Sequence, residues 1–165
     1  MSSEIILIAH NLRSCQNVGS LLRTCEGLGV NKVYLSGYTP YPIAINDDRL
    51  PYLREKINKR IVKASLGAEN LIDWEHQIDI FKLIDEIKAQ DYSVIALEQS
   101  NNSVNLDDYS PDKKIALIIG REVEGIENDI LDKVDKIIEI PMLGKKESFN
   151  VVQAAAIALY KLKFN

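Results

Sequence analysis

The 165 residues include only two cysteines, two histidines and one tryptophan. Cys15 and Cys25 stand ten apart with no CxxC pair, which excludes a disulfide framework and zinc-ribbon or thioredoxin-type sites. No stretch approaches the roughly 18 consecutive apolar residues of a membrane span. The opening Met-Ser-Ser-Glu lacks the basic-then-apolar pattern of a secretory signal. A soluble, cytoplasmic protein without a membrane partner is therefore expected. The sequence has no GxGxxG after its first predicted strand and no GxxxxGK(S/T), so the common dinucleotide and P-loop cradles are missing. A net charge of −4 argues against a non-specific nucleic-acid binder, which is normally basic.

The length suits one ordinary domain with a real core, and no repeat, low-complexity tract or linker divides residues 1–165. The charge is uneven. Up to residue 65 nine Lys/Arg face five Asp/Glu, a balance of +4, whereas the remainder carries −8. A phosphate-rich partner would have to meet the first third, at Arg49, Arg54, Lys56, Lys59, Arg60 and Lys63. The same run also reads as an ordinary solvated face, and composition alone leaves both open.

Short apolar, β-branched runs alternate with helical patterns, the signature of a mostly parallel α/β sheet flanked by helices. Strands are predicted at Glu4–Ala9, Lys32–Ser36, Tyr92–Leu97, Ile115–Ile119 and Lys136–Ile140. Helices are predicted at Val18–Leu28, with Asn17 as N-cap and Gly29 as stop, at Ile78–Lys88, at Asn128–Val134 and at Phe149–Leu162. Residues 37–68, with Pro40, Pro42 and Pro51, read as a surface loop with a short helix.

In open α/β sheets ligands lie beyond the carboxyl ends of strands. Three such ends are distinctive: Leu97–Glu98 running into Gln99-Ser100-Asn101-Asn102, Gly120 opening Gly-Arg-Glu-Val-Glu-Gly, and Ile140 opening Pro-Met-Leu-Gly-Lys-Lys-Glu-Ser-Phe-Asn. Each glycine alone serves an ordinary turn; three ends with polar residues behind them point to a site. Asn17 and Arg23, six apart, sit nearly two turns apart on the first helix, with Asn11 and Arg13 before them. Arg23 among Leu21, Leu22 and Cys25 reads either as a snorkelling side chain or as a guanidinium placed to grip a phosphate.

HNLRSCQNVGSLLRT (10–24), IIGREVEGI (118–126) and IPMLGKKESFNVVQAAAIALY (140–160) resemble the three motifs of the SpoU-type RNA 2′-O-ribose methyltransferases, a branch of the SPOUT superfamily. The resemblance covers most of the chain in the right order. It implies an α/β fold with a deep C-terminal trefoil knot, an exception to ordinary chain threading that no periodicity here predicts. It also implies S-adenosylmethionine as cofactor, a homodimer with RNA across its interface, and no metal. Matched position by position, Asn17, Arg23, Glu122, Ser148 and Asn150 fall on the family's catalytic positions. Leu97, Gly120, Ile140, Met142, Ser148 and Phe149 fall where the cofactor is held. Phe149 departs from the leucine or methionine commoner there, which bears on the adenine pocket and not on the chemistry. Arg13, Arg23, Arg54, Lys56 and Arg60 are the expected RNA contacts, and tRNA is favoured over ribosomal RNA because minimal members often act on it. The extra RNA-binding domain of many relatives is not expected in these residues.

The implied reaction is an in-line displacement by a ribose 2′-oxygen, needing alignment more than a covalent intermediate. An arginine stays protonated, so Arg23 is expected to stabilise developing negative charge and clamp a phosphate, leaving that phosphate or Asn150 to handle the proton. Glu122 is expected to orient its loop or the RNA. His10 and His76 read as surface or capping residues without a metal, the cysteines as small packed or partly exposed thiols, and Trp74 as packing. A catalytically silent RNA- or cofactor-binding dimer is the alternative, disfavoured by the presence of all five matched residues. A nucleotide-dependent oxidoreductase lacks its glycine fingerprint.

Overall fold

The protein is described here by a computed structural model covering residues 3–164. In chain order the elements are β1 (Glu4–His10), α1 (Cys15–Gly27), β2 (Lys32–Ser36), α2 (Pro51–Ser65), β3 (Trp74–Gln77), α3 (Ile80–Lys88), β4 (Ser93–Leu97), β5 (Val104–Asn105), β6 (Lys114–Ile119), α4 (Asn128–Leu131), β7 (Lys136–Glu139) and α5 (Val151–Phe164). Seven strands form one all-parallel sheet in the order β3-β2-β1-β6-β4-β7-β5. The central strands are nearly continuous in Ile, Leu, Val and Ala because helices cover both faces. Ile5, Leu7 and Ala9 point into a core with α1 and α5, while Ile6 and Ile8 point into a second core with α3 and α4.

From β1 the chain winds outward through β2 and β3, then crosses to the other side of β1, where it lays down β4 and β5 before β6 fills the place between β1 and β4. The crevice at the carboxyl ends of β1 and β6 is thus a topological switch point. β7 inserts between β4 and β5, and α5 then returns to pack against α1. This order is consistent with the C-terminal knot that the resemblance implies.

The larger predicted elements stand within a few residues of expectation, but three departures matter. Residues 37–68 are not mainly loop, because Pro51–Ser65 form a helix of 15 residues. Only Ile61 and Ser65 of α2 are buried, so its apolar periodicity is faint in the sequence. Its closeness to α1 depends on Gly19: a Cβ there would meet the Ile61 carbonyl oxygen and approach Ala64 Cβ to 2.8 Å. The preceding loop is tightly built. Arg49 donates to both carboxylate oxygens of Asp47 and to the carbonyls of Tyr41 and Pro42, and covers the Tyr41 ring at 3.6 Å. These bonds from Arg49 hold the Asp47 carboxyl far below the usual carboxylate range. Arg49 is therefore spent on its own loop, against its expected availability to phosphate.

Second, Asn17 is not the N-cap of α1. Ser14 is, its side chain accepting from Asn17 N at 3.2 Å. Third, His10 is neither surface nor capping but buried, bonded through Nδ1 to Ser36 Oγ at 3.1 Å. The polar edge strand β3 and the two-residue β5 carry no sequence pattern that marks them. Trp74 packs near Tyr41 and donates to the Glu69 carbonyl at 3.0 Å. Cys25 is buried, which pushes its thiol pKa up, and Cys15 is half-buried; both are free. No described helix is long and apolar enough to cross a membrane.

Candidate active site

The carboxyl ends of β4, β6 and β7 open on a cleft of about 270 Å³. Leu97, Ile119, Ile140, Phe149, Val151 and Ala154 give it apolar surface, and glutamates 98, 122, 124, 139 and 147 also line it. Two bonds across the cleft fix its walls. Glu98 accepts from Gln99 N through Oε1 and from Ile126 N through Oε2, each at 2.9 Å, which braces the loop after β6. Gln99 Nε2 donates to the Glu147 carbonyl at 2.9 Å, which ties the loop after β4 to the loop before α5.

The loop after β6 folds back between Arg121 and Gly125, whose amides exchange bonds of 3.3 and 3.2 Å. Gly125 has φ +70°, and a Cβ there would strike Glu98 Oε2. Only glycine meets both conditions, and the turn it permits aims Glu122 toward α1.

There the three sequence motifs meet. Because Ser14 caps α1, the Asn17 side chain is free to donate from Nδ2 to Glu122 Oε1 at 3.0 Å. Asn150 donates from Nδ2 to Asn17 Oδ1 at 3.5 Å. Asn150 is itself held at the start of α5, where its Oδ1 accepts from Val152 N at 2.9 Å. Both amides therefore have defined orientations, and a polar chain Asn150–Asn17–Glu122 stands beside the cleft that Glu122 lines.

Leu97, Gly120, Ile140, Ser148 and Phe149 all line the cleft, whereas Met142 does not. Arg23 stands outside it: exposed on α1, it lines a separate groove with Leu28, Asp107, Ile157 and Tyr160. Arg13 is exposed and pairs with Glu124 at 2.6 Å, and the Tyr38 hydroxyl and Glu124 raise its pKa. Arg54 donates to the Asp47 carbonyl at 3.0 Å, so part of its guanidinium serves the loop. Lys56 and Arg60 are exposed on α2. Glu98 and Gln99 are the site residues that sequence reasoning passed over. Their polar run after a strand was visible, but not the loops they clamp. Among the described residues no group of three or more His, Cys, Asp and Glu could hold a metal.

The profile of the SpoU rRNA methylase family matches residues 4–160. The chain belongs to the SpoU family. A Staphylococcus haemolyticus protein assigned to the TrmH family of tRNA/rRNA methyltransferases is 30% identical over 158 residues, 95% of this chain and 57% of that protein. A tRNA (guanosine(18)-2′-O)-methyltransferase of Borreliella burgdorferi is 26% identical over 163 residues, 98% of this chain and 66% of its own length. The chain thus spans roughly three fifths of these relatives. Among solved structures, an AdoMet-bound rRNA methyltransferase from Sinorhizobium meliloti superposes with TM-score 0.83 at 21% identity, over 98% of this chain and 56% of that one. The A. aeolicus TrmH/SpoU tRNA modifying enzyme superposes with TM-score 0.79 at 26% identity, over 97% of this chain and 74% of that one.

Proposed function

We propose that this SpoU-family chain is an S-adenosylmethionine-dependent RNA 2′-O-ribose methyltransferase that prefers tRNA to ribosomal RNA. The carrying observation is the chain Asn150–Asn17–Glu122, which joins three distant motifs at one lip of the cleft. The naming of the Borreliella burgdorferi relative supports both the ribose position and the tRNA preference.

The cleft suits the cofactor's chemistry. Its apolar surface at Leu97, Ile140 and Phe149 offers a seat for a flat heteroaromatic ring. Its several carboxylates favour a cation, although Glu98 is committed to backbone amides and Glu124 to Arg13. When bound, S-adenosylmethionine supplies an electrophilic methyl group on a positively charged sulfur.

The protein's own residues have to orient the ribose and manage its hydroxyl proton. Asn17 is locked from both ends of its amide, and Glu122 keeps a second carboxylate oxygen to accept from a ribose hydroxyl or to position it. Ser148 presents a further hydroxyl to the cleft. Arg23 offers a guanidinium, and its part is to stabilise negative charge on the oxygen and grip the adjoining phosphate.

Arg23 stands outside the cleft of a single chain, on a face where Ile157, Tyr160 and Phe164 are exposed. The reading therefore includes a homodimer that covers the α1–α5 face and brings Arg23 to a complete site. It also treats residues 1–165 as one catalytic domain acting in the cytoplasm, with RNA selected by that domain and its dimer. Methyl transfer from labelled S-adenosylmethionine into separated tRNA and ribosomal RNA pools tests it. Label concentrated in tRNA supports the reading, label in ribosomal RNA reverses the preference, and no label in either with cofactor bound supports a silent binder.

A further inference from the structure

A second, larger cavity of about 710 Å³ opens over the carboxyl ends of β1, β2 and β3, on the other side of the switch point from the cleft. Ile57, Ile78, Ile80 and Ile130 supply apolar walls, and Tyr38 and Phe81 are partly exposed aromatic lining, at 54% and 38%. The back is preorganised. Arg49 covers one face of the Tyr41 ring, His76 stacks on Tyr41 with centroids 4.0 Å apart, and His76 Nε2 bonds the Gly37 carbonyl at 2.9 Å.

Only a thin wall separates this cavity from the cleft. Arg121, which lines the cleft, pairs with Oε1 of Glu127, which lines the cavity, at 3.3 Å. Glu127 Oε1 also accepts from Asn11 Nδ2 at 3.2 Å.

The lining chooses among occupants. Asp79, Glu127 and Asp129 contribute carboxylates, and the one guanidinium in the lining, Arg49, is committed to Asp47. A phosphate is repelled here. A flat neutral ring is suited, because stacking on aromatics is how single-stranded RNA bases are held. Glu127 Oε2 is buried without a hydrogen-bond partner among the described residues, with His10 Nε2 3.7 Å away.

We propose that this cavity is a base-binding subsite that takes one unstacked nucleobase of the RNA, next to the nucleotide whose ribose enters the cleft. The inference rests on the reading of the chain as an RNA methyltransferase and names where that RNA is read.

The test uses tRNA transcripts carrying 4-thiouridine and 6-thioguanosine, irradiated with the full chain, the cross-linked peptides being mapped by mass spectrometry. Cross-links are expected within residues 38–41 and 78–81. The double variant Tyr38→Ala, Phe81→Ala, altered only at partly exposed side chains, is expected to lose them. It should raise the KM for RNA about 5- to 100-fold while kcat and cofactor affinity hold. Cross-links confined to α2, or a KM within twofold of the parent, overturn the subsite. Methyl transfer by the parent chain is scored separately. Cross-links here without transfer sink the methyltransferase reading alone, and transfer without cross-links here sinks the subsite alone.

Discussion

Asn17 donates from Nδ2 to Glu122 Oε1 at 3.0 Å across 105 residues of sequence. With Asn150 on its other side, Asn17 is held by the loop after β6 and by the start of α5. Asn17→Ala is expected to leave the fold and cofactor affinity intact and to lower kcat about 100-fold, the scale of loss for a misaligned reacting pair. Glu122→Gln retains a possible bond to Asn17 but loses the charge. A kcat near the parent's in both variants would reduce the chain to a structural clamp.

Arg23→Ala should lower kcat about 10²- to 10³-fold, as removal of one electrostatic stabiliser does elsewhere, with cofactor affinity spared. Arg23→Lys should fail too if the planar fork is what grips the phosphate. Because Arg23 lies in the α1–α5 groove, mixing Arg23→Ala with a cleft variant such as Glu122→Gln distinguishes sites completed in trans from sites completed in cis. Restored activity in the mixture means completion in trans. Equal loss of cofactor binding and turnover in Arg23→Ala would make the residue structural.

The basic face of α2 is the expected RNA surface, and the structure refines which residues test it. Arg54 also supports the Asp47 loop, so Lys56→Glu with Arg60→Glu is the cleaner pair. RNA affinity should fall, and the slope of log affinity against log salt should shrink by about 1 to 2, with cofactor affinity unchanged. Unchanged RNA affinity would move the surface elsewhere.

Gly19→Ala tests the α1–α2 contact. The new methyl meets the Ile61 carbonyl and Ala64, and overpacking of this kind costs about 1–3 kcal/mol. The melting temperature should drop by roughly 2–4 °C for each kcal/mol in a chain of this size. An unchanged Tm would mean that α2 shifts freely on α1.

His10 predicts a pH dependence of stability. Burial lowers its pKa below 6.5, with Arg121 adding to that and Glu127 and Asp129 opposing it. A histidine whose folded pKa is depressed stabilises the fold above its unfolded pKa and loses that contribution as pH falls. Tm should therefore decline as pH drops below about 6.5, and His10→Gln should flatten that decline. A parent Tm constant across this window, or the same slope in the variant, would contradict the assignment.

These sites differ in how far the sequence exposed them. Ile5 to Ala9 and Ile115 to Ile119 are runs whose composition alone indicates strands buried on both faces. The α3 stripe Ile80, Leu83, Ile84 and Ile87 is equally plain. α2 was hidden because it buries so little, and β3 because Trp74–Gln77 is a polar edge. The site shows the same divide. Motif matching picked out Asn17, Glu122 and Asn150, but that they touch depends on Ser14 capping α1 and on the turn at Gly125. The bracing by Glu98 and the exposed position of Arg23 depend on three-dimensional neighbours that no spacing encodes.

The most direct measurement is nucleoside analysis by mass spectrometry of RNA treated with the full chain and isotopically labelled S-adenosylmethionine. Label is expected on a ribose-methylated nucleoside and is expected to be absent when Glu122→Gln replaces the parent. Label on a base-methylated nucleoside, or label that persists undiminished in Glu122→Gln, would contradict this expectation.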